Sequence, residues 1–227
     1  MKKLKYVFLI GCFFIVAGCM DKGLSVFSFL KSEARVEGVP LILQNPELPR
    51  GCEVTSLSML LHHAGVPVSK MELAKNIKKV PFEKNGLRGD LNEGFVGDMY
   101  SKKTPGLGVY AGPVYELGLE YLPDQLINLT GKETKDLYRM LDKGYPVWVI
   151  TNATFAPLKD NQFETWNTKS GKMRVTYHEH SVVMTGYDDE YVYINDPLDK
   201  EMDKKVPRKQ FEEAWVQMGK QAISYEK

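Results

Sequence analysis

Between His180 and Asn195 the chain passes through two apolar, β-branched and aromatic stretches, His180–Tyr187 and Tyr191–Asn195, that flank the turn residues Asp188-Asp189. So short an interruption leaves no room for a crossover, and the two strands must pair antiparallel as a hairpin. With the turn at Asp188-Asp189, residues whose numbers sum to about 377 face each other, which sets His180 opposite about residue 197 and beside Asp196. Further strands precede the hairpin. Val147-Trp148-Val149-Ile150 has the composition of a buried strand, and Phe163–Trp166 and Met173–Tyr177 flank Ser170-Gly171. The second half of the chain therefore reads as antiparallel sheet.

The first half carries helical patterns instead. Pro46 and Pro49 keep their segment out of a helix, and Gly51 allows close backbone approach. From Glu53 the apolar positions Val54, Leu57 and Leu61 share one face. Cys52 thus stands at a helix N-terminus, and Gly65 with Pro67 ends that helix. Ser69 caps a second helix over Lys70–Ile77. Seven glycines between Asn85 and Pro113 (86, 89, 94, 97, 106, 108 and 112) predict a long, ordered surface loop with aromatic residues. Thr130 and Glu133 have capping-box spacing ahead of the stripe Leu137, Met140, Leu141, and a last helix over Lys209–Met218 offers Phe211, Trp215 and Met218. Helices first and strands later make the fold class α+β.

At 227 residues and 43% hydrophobic content the chain supports one core. Thirty Lys and Arg against 29 Asp and Glu leave no nucleic-acid footprint. Lys2, Lys3 and Lys5, then an apolar run from Tyr6 and the small residues Ala17-Gly18, read as an export signal. The apolar run of about 12 residues falls short of the roughly 20 that span a bilayer. Val16-Ala17-Gly18-Cys19 resembles the bacterial lipobox, and the resemblance implies cleavage after residue 18 with diacylglycerol on Cys19. The expected organisation is a signal peptide over 1–18, a tether over 19–38 and one domain over 39–227. Such a protein is extracytoplasmic and held at the membrane by lipid. With Cys12 removed and Cys19 lipidated, Cys52 has no partner for a disulfide.

A thiol at a helix N-terminus meets the positive end of the helix dipole and free N–H groups, both favouring thiolate, while Glu53 next door opposes it. The same N–H groups can hold an oxyanion. His62 and His63 lie about 15 Å along the helix axis from Cys52 and cannot serve it. His178 and His180 occupy alternate strand positions, and Asp196 on the neighbouring strand can hold the His180 imidazole in the tautomer that exchanges a proton with the thiol. A metal set of Cys52, His178, His180 and Asp196 is the weaker alternative, since a zinc ligand has no need of a helix start.

Gln44, Gly51-Cys52-Glu53 with the helix that follows, His180-Ser181-Val182-Val183-Met184-Thr185-Gly186-Tyr187-Asp188 and Asn195-Asp196-Pro197 resemble the bacteriocin-processing type of cysteine peptidase within the papain-like superfamily, closest to its stand-alone members. The resemblance runs from about Val39 to Trp215. It implies a papain-like fold with N-terminal helices packed on a C-terminal antiparallel sheet, no cofactor, and a peptide or amide substrate. By the same resemblance Cys52 is the nucleophile, His180 the general base and acid, Asp196 the orienting residue, and Gln44 an oxyanion-hole donor. Two departures stand out: the glutamine lies about two residues farther from the cysteine than in the exporter-linked peptidases, and glutamate follows the cysteine where they have glycine or alanine. Their membrane helices and ATPase are missing as well, so cleavage of double-glycine leaders does not carry over. A lipoprotein that binds peptide or cell-wall fragments without hydrolysis, and an acyltransferase of the transglutaminase type, are the other readings the same residues allow.

Overall fold

The structure is a computed structural model that describes residues 30–227; the expected signal peptide and Cys19 lie outside the described residues. Along the chain, β1 (Ala34–Arg35) is followed by α1 (Cys52–His63) and α2 (Lys70–Asn76). The glycine-rich stretch carries the two-residue strands β2 (Lys79–Val80), β3 (Glu83–Lys84), β4 (Leu87–Arg88) and β5 (Phe95–Val96). Then come α3 (Ala111–Leu119), β6 (Leu126–Asn128), α4 (Thr134–Asp142), β7 (Val147–Asn152), β8 (Glu164–Thr168) and β9 (Gly171–Val175). The chain closes with β10 (Glu179–Tyr187), β11 (Tyr191–Asn195), β12 (Lys204–Pro207), α5 (Arg208–Gln217) and β13 (Ala222–Tyr225).

Seven strands form one sheet in the order β12-β11-β10-β7-β13-β6, with β1 paired to β10 beyond the end of β7. Successive side chains of a strand point to opposite faces, so the continuous apolar run of β7 needs cover on both sides. Trp148 and Ile150 enter a core with Val54, Leu57 and Leu61 of α1 and Leu117 of α3. Val147 and Val149 enter a second core with Leu137 and Leu141 of α4 and Phe211 and Trp215 of α5. Each fully buried large side chain contributes about 1.5–3 kcal/mol. Among the described residues no helix is long and apolar enough to cross a membrane.

Three expectations are corrected. The stretch expected to act as a tether joins the fold before Val39: β1 pairs with Gly186 and Tyr187, and Val36 is buried. The capping box that opens α4 is built from Glu133 and Asp136, one turn later than the Thr130–Glu133 spacing predicts, because the Thr130 N–H is already taken by Asn128 Oδ1. Helix α3 begins inside the stretch read as loop. The rest of that stretch is ordered by a third core, in which Leu91, Val96 and Leu107 meet Trp166 and Val175 of the β8–β9 hairpin. Buried Asp90 ties the two together, accepting from Ser170 Oγ at 2.6 Å and from the Asn92 N–H at 2.8 Å.

Candidate active site

Helix α1 starts at Cys52 because the residues before it form a tight turn, with the Gly51 N–H donating to Leu48 O at 3.0 Å. A Cβ on Gly51 would stand 2.5 Å from Leu48 Cβ, so only glycine fits there. On the sheet, β11 stops at Asn195, opposite Val183, and leaves the first residues of β10 without a strand on that side. In an antiparallel ladder Ser181 turns its N–H and C=O the same way as Val183. Helix α1 faces both groups. Ser56 Oγ donates to Ser181 O at 3.1 Å, and the Ser181 backbone N–H lies on the side of the Cys52 sulfur, where it favours the thiolate. The sulfur is therefore held at the open edge of β10, one peptide bond from His180.

His180 and Asp196 meet as the hairpin register predicts: Nε2 lies 2.7 Å from Asp196 Oδ1, with the two side chains only 3% and 7% exposed. Asp196 Oδ1 also accepts from the Leu198 N–H at 2.9 Å, and Lys204 Nζ stands 3.9 Å from Oδ2. Burial pushes this carboxyl up, but the hydrogen bond and charge of His180, the Leu198 N–H and Lys204 outweigh it and hold Asp196 below the usual carboxylate range. Gln44 is buried beside the same turn, its N–H donating to Pro197 O at 2.9 Å. Its side-chain Nε2 donates to Leu48 O at 3.0 Å, and its Oε1 has no partner.

The Cys52 thiol does not bond the imidazole. It donates to Glu53 Oε2 at 3.3 Å, and among the described residues no hydrogen bond joins the sulfur to the His180 ring. Glu53 Oε1 accepts from the Val109 N–H at 2.7 Å, and its backbone carbonyl accepts from Trp148 Nε1 at 3.0 Å. Glu179 brings a second carboxyl to the cluster, so that Sγ and one oxygen of each carboxyl lie within 4.8 Å of one another. Its Oε1 is buried without a partner. Burial pushes Glu53 up to about 7 against the pull of backbone N–H groups and the thiol, and burial together with Glu53 pushes Glu179 well up. The thiol is raised by burial first and then by the two carboxylates, with the Ser181 N–H opposing.

Gly108 closes this cluster: a Cβ there would stand 2.5 Å from Glu179 Oε2 and 2.6 Å from Glu53 Oε1. Gly108→Ala should therefore lower stability by about 1–3 kcal/mol, the usual cost of overpacking. An unchanged urea midpoint would show that the carboxyls move aside freely.

Of the residues singled out in the sequence, His180 and Asp196 pair, Gln44 bonds Pro197 next to Asp196, and Cys52 stands at the helix start beside Ser181, the residue after His180. The metal set does not assemble, because His178 is turned to Gln162 with 3.3 Å between their Nε2 atoms. His62 and His63 serve structure, bonding Val68 O at 3.0 Å and Tyr225 Oη at 2.7 Å. Glu179, Gly108 and the Ser181 N–H were not legible as site groups. Glu179 adjoins His180 in the chain yet projects to the opposite face of the strand, and no spacing rule links it to Glu53.

The model of the Peptidase_C39 like family matches residues 36–223. A crystal structure described as a C39-like peptidase from Bacillus anthracis superposes with a TM-score of 0.85 and 54% identity, covering 87% of this chain and 98% of that one. The uncharacterized protein YvpB of Bacillus subtilis strain 168 is 48% identical over 204 residues, 87% of this chain and 80% of the relative. With most of its length matched and helices packed on a large antiparallel sheet in the α+β, papain-like manner, the chain belongs to the Peptidase_C39 like family.

Proposed function

We propose that this protein is a papain-like cysteine peptidase that hydrolyses peptide or amide bonds with Cys52 as nucleophile, His180 as acid and base, and Asp196 orienting the ring. The observation that carries this reading is the edge of β10, where Cys52 at the start of α1 stands beside Ser181 and the neighbouring residue, His180, is held 2.7 Å from Asp196. Asp196 engages Nε2, which leaves Nδ1 as the nitrogen available to the thiol proton.

The steps follow from these groups. The S–H proton is taken up and held on His180 Nδ1, the thiolate forms a C–S bond with the substrate carbonyl carbon, and the carbonyl pair moves onto oxygen. The Cys52 N–H at the start of α1 and the second N–H of Gln44 Nε2 would receive that oxyanion. Collapse breaks the C–N bond as the proton passes to the departing nitrogen, and water then releases the acyl group and restores the thiol. The protein is further proposed to be a lipoprotein anchored through Cys19 outside the cytoplasmic membrane, which mass spectrometry of the native N-terminus tests directly.

The test of activity is mass-spectrometric detection of cleavage in a peptide library. Wild type should cleave, and Cys52→Ala and His180→Ala should not. Cleavage that persists in Cys52→Ala, or a wild type that cleaves nothing and is not labelled at Cys52 by peptide electrophiles, overturns the reading.

A further inference from the structure

The thiol's hydrogen bond runs to Glu53, and this contact has a consequence of its own. Around the sulfur stand Glu53 from α1 and Glu179 with the Ser181 backbone from β10, and Tyr110 from the segment before α3 faces Glu179 with Asp90 behind it; His180 follows Glu179 in β10. Trp148 of β7 supplies only an N–H, to the Glu53 backbone. None of the ion pairs among the described residues reaches Glu53 or Glu179. A buried thiolate and two carboxylates, neither carboxylate ion-paired, do not all stay ionised. Among the described residues, the single hydrogen bond through which the sulfur can share a proton is Sγ–H to Glu53 Oε2 at 3.3 Å.

We infer that Glu53 is a further catalytic residue: Cys52 and Glu53 share one proton, and the reactive thiolate is the form in which Glu53 carries it. In that step the S–H bond breaks with its electron pair left on sulfur, an O–H bond forms on Oε2, and the charge of the pair is unchanged. The proton that Glu53 takes passes on to His180 Nδ1, which gives it to the departing nitrogen, so His180 keeps its acid role and later steps keep their balance. Glu53 suits this task because its carboxyl has been pushed up to about 7, where an ordinary carboxylate would be too weak a base for a thiol. The Val109 N–H fixes Oε1 and so aims Oε2 at the sulfur.

Sharing one proton has a signature that a lone thiol lacks. The tautomers S–H/COO⁻ and S⁻/COOH hold the same number of protons, so their ratio does not depend on pH. Above the titration of the pair, reactivity should be level until the second proton leaves.

This inference rests on Cys52 as the nucleophile, but its test reads alkylation and needs no peptide turnover. Iodoacetamide labelling of the full-length chain is followed at the Cys52-containing peptide by mass spectrometry. For wild type the rate should be level between about pH 7.5 and 9, and in Glu53→Gln it should climb about tenfold per pH unit, as for an isolated thiol. His180→Ala should keep the level region. A wild type that climbs tenfold per unit overturns the inference even if Glu53→Gln fails to fold. A level region lost in His180→Ala and kept in Glu53→Gln gives the proton to the imidazole, which overturns this inference and leaves the peptidase reading standing. A Glu53-dependent level region upholds the shared proton whether or not the library contains a cleavable peptide.

Discussion

Replacing Asp196 by alanine should lower peptide turnover by about 100- to 10,000-fold, the range that acid–base assistance contributes. Without the carboxylate 2.7 Å from Nε2, nothing holds the His180 ring in the tautomer that presents Nδ1 to the site. Stability should fall by about 1.5–3 kcal/mol, the worth of a hydrogen bond to a charged group, because the imidazole left behind can stay neutral and is not an orphaned buried charge. Asp196 is held below the usual carboxylate range, so its contribution is complete above that range and is lost as pH falls through its folded value. The alanine variant should therefore lose its stability deficit in acid. Asp196→Asn separates the two effects, since an amide keeps the size and can still accept from the Leu198 N–H. It should unfold near the wild-type urea midpoint and still turn over slowly. Wild-type turnover in the asparagine variant would remove Asp196 from its orienting role.

That pair was legible because a strand's side chains alternate and a short turn fixes the register: Met184 pairs with Ile194, within one residue of expectation, and a bulge then moves Gly186 to Tyr193. The helix start at Cys52 was legible for a similar reason, since prolines and a glycine stop the preceding segment and the apolar stripe begins at once. Helix α3 was obscured by Gly112 and Gly118, which weaken the periodic signal, while Pro113 is tolerated because it lies in the first turn, where an N–H has no helical partner. The depth of Glu53 was hidden for a different reason. Its burial depends on the 107–110 segment closing over it, and that segment is placed by the third core beneath the β8–β9 hairpin. Contacts set by three separate elements leave no periodic trace in the chain.

The same buried carboxyl should make the protein less stable as pH rises, opposite in sign to Asp196. Glu53 is raised from 4.5 to about 7 in the folded state, so between those values the native chain holds a proton that the unfolded chain has released. Wherever the native state binds more protons, stability falls with rising pH, and an interval of this width corresponds to about 3 kcal/mol. Glu179 is raised as well and acts in the same direction. Urea unfolding should accordingly show wild type less stable at pH 8 than at pH 5. Glu53→Gln should shrink that difference and stabilise the protein at pH 8, because the amide oxygen can still accept from the Val109 N–H while no charge has to be buried. Equal pH dependence in wild type and Glu53→Gln would mean that Glu53 titrates as an ordinary carboxylate. The position beside the sulfur gives a reason to keep a glutamate that a glutamine would improve for folding. Groups held at a thermodynamic cost cluster where their altered proton affinity is used.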